Sequence, residues 1–556
     1  MSRQPYLSAV NERVIVFDGA FGTFVQDLDL GPDDFGGASL EGCNEYLCIT
    51  RPDVIRQMHS AFLDVGVDVL ETASFGSFST VLSEYNISDK AYELNVEAAR
   101  LARETANDYE ASGKARYVAG SIGPGTKLPS LGHIRFAELR DAYIEQARGL
   151  IVGGADLFLI ETCMDLLQIK AAMIACRRAM VAEGREIPIQ VQVTMETTGR
   201  MLVGSEIGAA LTAISAMKPD VFGINCATGP AEMQEHLRHL SQNASMPISV
   251  LPNAGLPSIV NGRTHYDLTP AELAKFHHHH VHDLGIGIVG GCCGTTPAHL
   301  KAVVDAVSGM AAPKRTPIVE PSVASIYSSV PMVQDKSFLI IGERTNTNGS
   351  KAFRDAMIAG DWDNCSKIAT EQIREGAHVL DVCVDYVGRD GAIDMDEIAS
   401  RFATQASVPL VLDSTEPQVL EAGLMHIGGR AILNSANLED GEEIGCRMDR
   451  VFSLAREYGC AVICLLIDEK GQARDVEWKL EIAHRIHRIA VDRYGLSASD
   501  LIFDALTFPL STGDDDLRLD AKHTIDAIKR IKDEIPGCFT TLGVSNVSFG
   551  LKPSSR

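Results

Sequence analysis

The sequence predicts an α/β protein made of two (β/α)8 TIM barrels in tandem, the second short of a full set of strands at its C-terminus. Three observations lead there. The chain has 556 residues, more than one hydrophobic core usually serves. Through residues 1–310, short aliphatic runs ending in Gly, Asp, Glu, Thr or Asn alternate with amphipathic stretches. After a proline-containing segment the same alternation starts again. Near-continuous apolar strands separated by helices are the pattern of a parallel sheet covered by helices.

In the first half the runs are VIVFDGA (14–20), VDVLETAS (67–74), YVAGSIGP (117–124), DLFLIET (156–162), IPIQVQVTM (187–195), DVFGINC (220–226), PISVLPNAG (247–255) and IGIVGGCCG (286–294). Eight such strands over roughly 300 residues fit one (β/α)8 barrel. Between them, stretches such as AYELNVEAARLARETANDY (91–109) and TPAELAKFHHHHVHDL (269–284) space their apolar residues as helices do. Residues 311–336 contain Pro313, Pro317, Pro321 and Pro331 without clear periodicity, and are expected to be an interdomain linker ordered against a surface. The domains are therefore expected at 1–310 and 337–556. The second set of runs is FLIIGERTN (338–346), HVLDVCVD (378–385), VPLVLDST (408–415), RAILNSAN (430–437), AVICLLID (461–468), LIFDALTF (501–508) and FTTLGVSN (539–546). That is seven strands, one fewer than a closed barrel needs, with Arg556 ten residues past the last.

Composition narrows the function. The net charge of −24 argues against nucleic acid or an anionic membrane as partner, since both need a basic footprint. No signal peptide and no long apolar span is evident, so a cytoplasmic protein is expected. The 13 cysteines follow no regular framework, which favours free thiols and metal ligands over disulfides.

In such barrels the strand C-termini face the active site. In the first half they carry Asp18, Glu71, Thr72, Glu161, Thr162, Asn225, Cys226, Asn253, Cys292 and Cys293. Strands six and eight are second neighbours around a barrel, so Cys226 can meet Cys292 and Cys293. Adjacent strand residues point to opposite faces, so the vicinal pair can share one ion only where the backbone leaves strand geometry; Gly290, Gly291 and Gly294 permit that. Three thiolates leave one tetrahedral position open, the pattern of a catalytic rather than a structural zinc, and sulfur donors favour zinc over magnesium or calcium. The plainer alternative is small buried hydrophobes. An open zinc position suits a thiol substrate, whose proton is removed on binding so that it can attack an electrophilic methyl group. Asp18 and Glu161 are candidates for a substrate ammonium, the alternative being solvent-exposed loop acids. If zinc is lost, vicinal Cys292 and Cys293 are expected to oxidise together.

In the second half the strand ends carry Glu343, Arg344, Asn346, Asp381, Asp385, Asp413, Asn434, Asn437, Asp468, Asp504 and Asn546. Carboxylates accept paired N–H donors such as those of a pterin edge, although acid-rich mouths also bind magnesium. Cys383 and Cys464 read as core.

Several segments are similar to known families. FDGAFGTFVQ (17–26), ETASFGSF (71–78), GSIGP (120–124), ETCMDLLQIKAA (161–172), GINCATGP (223–230) and GGCCGTTPAHL (290–300) resemble the homocysteine-binding domain of zinc homocysteine methyltransferases. IGERTNTNGS (341–350), LDVCVDY (380–386), LVLDST (410–415), ILNSAN (432–437) and GVSNVSFGL (543–551) resemble the pterin-binding domain of the cobalamin-dependent methionine synthase family, related to dihydropteroate synthase. In this order they resemble the amino-terminal half of that family. The resemblance implies a methyltransferase of methionine biosynthesis, with Zn2+ on Cys226, Cys292 and Cys293 and homocysteine against Asp18 and Glu161. It implies methyltetrahydrofolate as co-substrate against Glu343, Asp413, Asn434, Asp504 and Asn546, with Asn346 and Asp381 as further contacts. It also implies cobalamin as methyl carrier, bound by a cobalamin-binding domain. The Asp-x-His-x-x-Gly motif of that module is absent from these residues, as is the reactivation domain.

Rival readings are a homocysteine methyltransferase using betaine or S-methylmethionine, homocysteine methylation coupled to a flavin methylenetetrahydrofolate reductase, and a zinc-thiolate redox sensor. Gly285, Gly287 and Gly290 match G-x-G-x-x-G but lie on and before a strand, outside the strand-to-helix context that motif needs. The run His277–His280 with His282 reads as a solvated face or a tag-like stretch away from the strand ends, and His236 and His239 as ordinary helix residues.

Overall fold

The computed structural model describes residues 3–110, 113–260, 263–512, 519–552 and 554. It divides into two units, Met1–Glu320 and Pro321–Arg556. Among the described residues no helix is long and apolar enough to cross a membrane.

In the first unit all eight expected runs form strands: β1 (Ile15–Val16), β2 (Val69–Glu71), β3 (Tyr117–Ile122), β4 (Leu157–Cys163), β5 (Ile189–Val193), β6 (Val221–Asn225), β7 (Ile248–Leu251) and β8 (Ile288–Val289). They pair in parallel in chain order, and β8 returns to β1 through Ile15↔Ile288 and Val16↔Val289. A parallel bridge, Phe17↔Val69, closes β1 onto β2, so the sheet is a complete barrel. The helix expected at 91–109 spans Ala91–Tyr109 and buries Leu94, Ala98, Leu101, Ala102 and Thr105, the inward stripe of a 3.6-residue period. A helix the sequence reading did not anticipate, Tyr6–Glu12, puts Tyr6, Ala9 and Val10 among Tyr117, Leu157 and Val221, the first residues of three strands. It therefore plugs the amino end of the barrel, and Tyr6 Oη bonds Gln190 Oε1 at 2.8 Å there. The opposite end is left for chemistry.

The histidine run is neither tag-like nor a wholly solvated face. It lies in helix Pro270–His282, started by a Thr269–Glu272 capping box. His277 and His280 are fully buried while His278 and His282 are exposed, because successive helix residues turn through about 100° and only every third or fourth faces the barrel. The run is also not remote from the strand ends, since His277 Nε2 reaches Gly290 O at 2.7 Å.

In the second unit the seven runs become β9 (Ile341–Gly342), β10 (Val379–Cys383), β11 (Leu410–Asp413), β12 (Ile432–Ala436), β13 (Ala461–Leu465), β14 (Leu501–Asp504) and β15 (Phe539–Thr541). They are parallel and in chain order; among the described residues no pairing joins β15 to β9, so this sheet is open. Residues 311–336 are not uniformly a linker. Ile318 N bonds Gln242 O at 2.8 Å within the first unit. Ser322–Ala324 and Ser329–Pro331 form an antiparallel hairpin whose Val323, together with Met332, packs against Val379, Val411, Ile432 and Ile502. Burial of Val323 orders a segment that its prolines alone would leave irregular.

Candidate functional site

Three cysteines meet at the carboxyl end of the first barrel. Strand β6 stops at Asn225, and Cys226 and Ala227 take left-handed backbone angles, φ +60° and +54°, that turn the Cys226 thiol back over the mouth. Strand β8 stops at Val289, before the vicinal pair. Gly291 is required by close approach, because a Cβ there would lie 2.3 Å from Thr295 Oγ1. Gly294 has φ +79°, and its Cβ would strike the Tyr266 ring at 2.3 Å. The loop after β7 splints the two cysteine segments by main-chain bonds: Cys226 N to Leu251 O at 3.2 Å, Asn253 N to Thr228 O at 3.1 Å, Cys292 N to Pro252 O at 2.9 Å and Ala254 N to Cys293 O at 2.9 Å.

The result is a trio of Sγ atoms all within 4.8 Å of one another. Cys226 and Cys293 are 3.9 Å apart. Each thiol's ionisation is governed by the other two. Hydrogen bonds from Cys226 and Cys292, with help from the Tyr266 hydroxyl, lower Cys293 to about 3. Cys292 is held well above the usual thiol range by its neighbours Cys226 and Cys293. Beside them Asn253 Oδ1 is buried without a partner. Three soft donors with one open side and an unused oxygen fit a tetrahedral zinc. In metal-free protein a mild oxidant is expected to join Cys226 to Cys293 rather than the vicinal pair, because the former sulfurs already approach and a vicinal bridge strains its ring. Peptide mapping under non-reducing conditions checks this; a Cys292–Cys293 bridge as first product would contradict it.

Around the thiols stand three carboxylates. Asp18 is 2% exposed and accepts from Glu71 N at 3.1 and 3.2 Å. Glu161, 5% exposed, accepts from Ser121 Oγ at 2.6 Å and Asn225 Nδ2 at 3.0 Å. Neither is a solvent-exposed loop acid. Burial pushes Glu161 up to about 7, and burial with the charges of Glu161 and Asp18 raises Glu71. Glu71 Oε1 is also buried without a partner. Among the described residues no Lys or Arg pairs with any of the three. Burial disfavours the charged form of these carboxyls, and a ligand ammonium placed among them would favour it again. Glu71, Asn253 and Tyr266 went unselected from sequence: the first two were visible as strand-end residues, whereas Tyr266 lies outside every strand run.

At the mouth of the second unit, Asn346 Nδ2 donates to Asp381 Oδ2 at 2.8 Å and Asp413 Oδ2 at 3.0 Å. Asn434 is the register partner of Asp413 on β12, and Asp504 ends β14, accepting from Leu506 N at 2.8 Å. Glu343 is exposed beside Asp381. Asn546 is exposed on the short helix Val544–Ser548, with no side-chain hydrogen bond to the cluster among the described residues. Asp385 ties two loops together by accepting from Ser414 Oγ at 2.8 Å and Thr415 N at 3.1 Å.

Burial, then the neighbouring carboxylate, pushes Asp381 up to about 7 and Asp413 up to about 6. Such carboxyls ionise near 4 in an unfolded chain. The folded unit thus keeps protons that the unfolded chain has released. The resulting stabilisation is complete below pH ~4 and fades as pH rises through 6 to 7. Thermal melts of the ligand-free protein are expected to show the second unit melting higher at pH 5 than at pH 8, with Asp381→Asn flattening the difference. A slope of the opposite sign would refute this.

Comparison with known proteins agrees with this geometry. Residues 15–307 match the family model described as homocysteine S-methyltransferase, more than half of the chain. The chain belongs to the homocysteine S-methyltransferase family. Residues 342–556 match the model described as pterin binding enzyme, so the family domain is followed by a pterin-binding domain. The methionine synthase of Mycobacterium tuberculosis is 51% identical over 550 residues, covering 99% of this chain and 46% of the relative. That of Mycobacterium leprae is 50% identical over 555 residues, with 99% and 46% covered. The chain thus spans about half the length of the curated relatives it matches. Among solved structures, the metallated homocysteine methyltransferase MmuM of Escherichia coli is 21% identical with TM-score 0.44, over 54% of this chain and 99% of that one.

Proposed function

We propose that the chain methylates the thiol of homocysteine at the three-cysteine centre and holds 5-methyltetrahydrofolate at the mouth of the second unit. Cobalamin, bound by a separate cobalamin-binding domain, carries the methyl group between them, so the overall activity is that of methionine synthase. The observation that carries the reading is the convergence of the Cys226, Cys292 and Cys293 sulfurs within 4.8 Å at the ends of β6 and β8. These residues would hold zinc, and bound there zinc lowers the pKa of a substrate thiol, making thiolate abundant at neutral pH.

The chain's own residues do the rest. Asp18 and Glu161, joined by Glu71, receive the homocysteine ammonium and orient the thiol toward the cysteines. In the second unit Asp381 and Asp413, preset by Asn346, accept the N–H donors of the pterin edge. Asn434, Asp504, Glu343 and Asn546 complete the rim. An amine leaves well only when protonated, so a proton must reach folate N5. The raised Asp381 and Asp413 keep exchangeable protons at this mouth near neutrality. A cytoplasmic setting suits free, reducible thiols.

The test measures bound zinc and the formation of methionine from homocysteine and exogenous methylcobalamin. One zinc per chain, with activity abolished by chelation and restored by zinc, is the expected result. Full transfer in metal-free protein would overturn the reading.

A further inference from the structure

The two buried histidines set aside as a solvated run form a hydrogen-bonded string with a defined direction. A carbonyl only accepts, so His277 Nε2, 2.7 Å from Gly290 O, carries its ring proton. In a neutral ring His277 Nδ1 is then bare and accepts from His280 Nδ1, 3.4 Å away. That leaves His280 Nε2 bare, accepting from the Gln234 side-chain amide at 2.9 Å. The remaining amide hydrogen of Gln234 donates to Pro230 O at 3.1 Å. Every ring nitrogen along the string is used once, and only one tautomer of each ring satisfies it. Both rings are fully buried, and burial pushes His277 down to about 4, so the neutral form holds.

The two ends of the string matter most. Pro230 closes the segment that begins at Cys226, and Gly290 opens the segment that leads to Cys292 and Cys293. On the inner side these segments are splinted by main-chain bonds from the loop after β7. On the outer side the side-chain string joins them through helix Pro270–His282.

We propose that His277, His280 and Gln234 are positioning residues that set the spacing of Cys226 from the Cys292–Cys293 pair. The consequence for metal affinity rests on the zinc reading above; the consequence for sulfur-to-sulfur spacing does not.

The test uses the full chain as wild type, His277→Leu, His277→Gln, Gln234→Leu and, on the exposed face of the same helix, His278→Leu. Zinc affinity is read by competition with a chromogenic chelator. In metal-free protein, the rate of Cys226–Cys293 disulfide closure is read against the rate of alkylation of the same thiols. Loss of an outer hydrogen-bond partner typically weakens metal binding by about 10–100-fold. His277→Leu acts one step further out and is expected to weaken zinc about tenfold and slow closure by a similar factor. His277→Gln, whose amide still donates to Gly290, should recover most of both. Gln234→Leu should fall between, and His278→Leu should match wild type. Wild-type affinity and closure in His277→Leu would overturn the proposal, as would equal impairment by Gln and Leu, the mark of a merely structural role. If His277→Leu does not fold, Gln234→Leu decides, and no change in either readout overturns the proposal. If wild type binds no zinc, the metal-centre reading fails and the closure rates still test the string.

Discussion

Cys292→Ala is expected to weaken zinc binding by about 10²–10³-fold and to remove methyl transfer to homocysteine at micromolar zinc. Small zinc sites release about 10–16 kcal/mol on binding, which over four donors is roughly 2.5–4 kcal/mol per donor. Each ~1.4 kcal/mol is tenfold in affinity. Little of the loss should be structural. The loop is held by main-chain bonds in which Cys292 N donates to Pro252 O and Cys293 O accepts from Ala254 N, which alanine at 292 leaves in place. The measurement is metal content and chelator competition beside methionine formation, with the melting temperature as control. Full activity and stoichiometric zinc in Cys292→Ala would sink the proposed centre.

Asp413→Ala is expected to raise the dissociation constant for methyltetrahydrofolate by about 10–100-fold while leaving zinc affinity in the first unit unchanged. A hydrogen bond to a charged group contributes about 1.5–3 kcal/mol, which sets that range. Asn346 bridges Asp381 and Asp413, so the variant also frees one amide hydrogen and loosens Asp381. Asp413→Asn should therefore be milder than alanine, because it keeps an oxygen for the Asn346 amide. Titration of the folate against wild type and both variants checks this, and unchanged affinity would remove Asp413 from the site.

The strand ends of both barrels could be read from sequence because period and termination are local. Apolar runs that end in Asp, Glu, Asn or Cys mark where a parallel strand reaches the mouth. That sufficed to pick out Cys226, Cys292, Cys293, Asp18 and Glu161, and the structure brings all five to one end of the first barrel. It did not suffice for Tyr266, whose position over Gly294 depends on how a loop folds back. Nor did it suffice for His277: four consecutive histidines look polar in a row, and only the rotation of the helix against the barrel buries two of them. The hairpin in segment 311–336 went unread for a related reason, since Val323 is one apolar residue in sequence but a core residue once the hairpin forms.

From the sequence alone came the two alternating halves, the net negative charge, the thiol-rich mouth of the first barrel and the carboxylate-rich mouth of the second. Each depends on residue type and spacing along the chain. Tertiary structure supplied the pairings behind those halves: the first sheet closes through Phe17↔Val69, and among the described residues no pairing joins β15 to β9. It decided that the three carboxylates share one buried space with no Lys or Arg paired to them among the described residues, and that a string of neutral histidines joins the two cysteine loops. Those outcomes turn on distances between residues far apart in the chain, and on the withdrawal of water that makes an unpaired charge or a bare ring nitrogen costly. Neither is written in local periodicity.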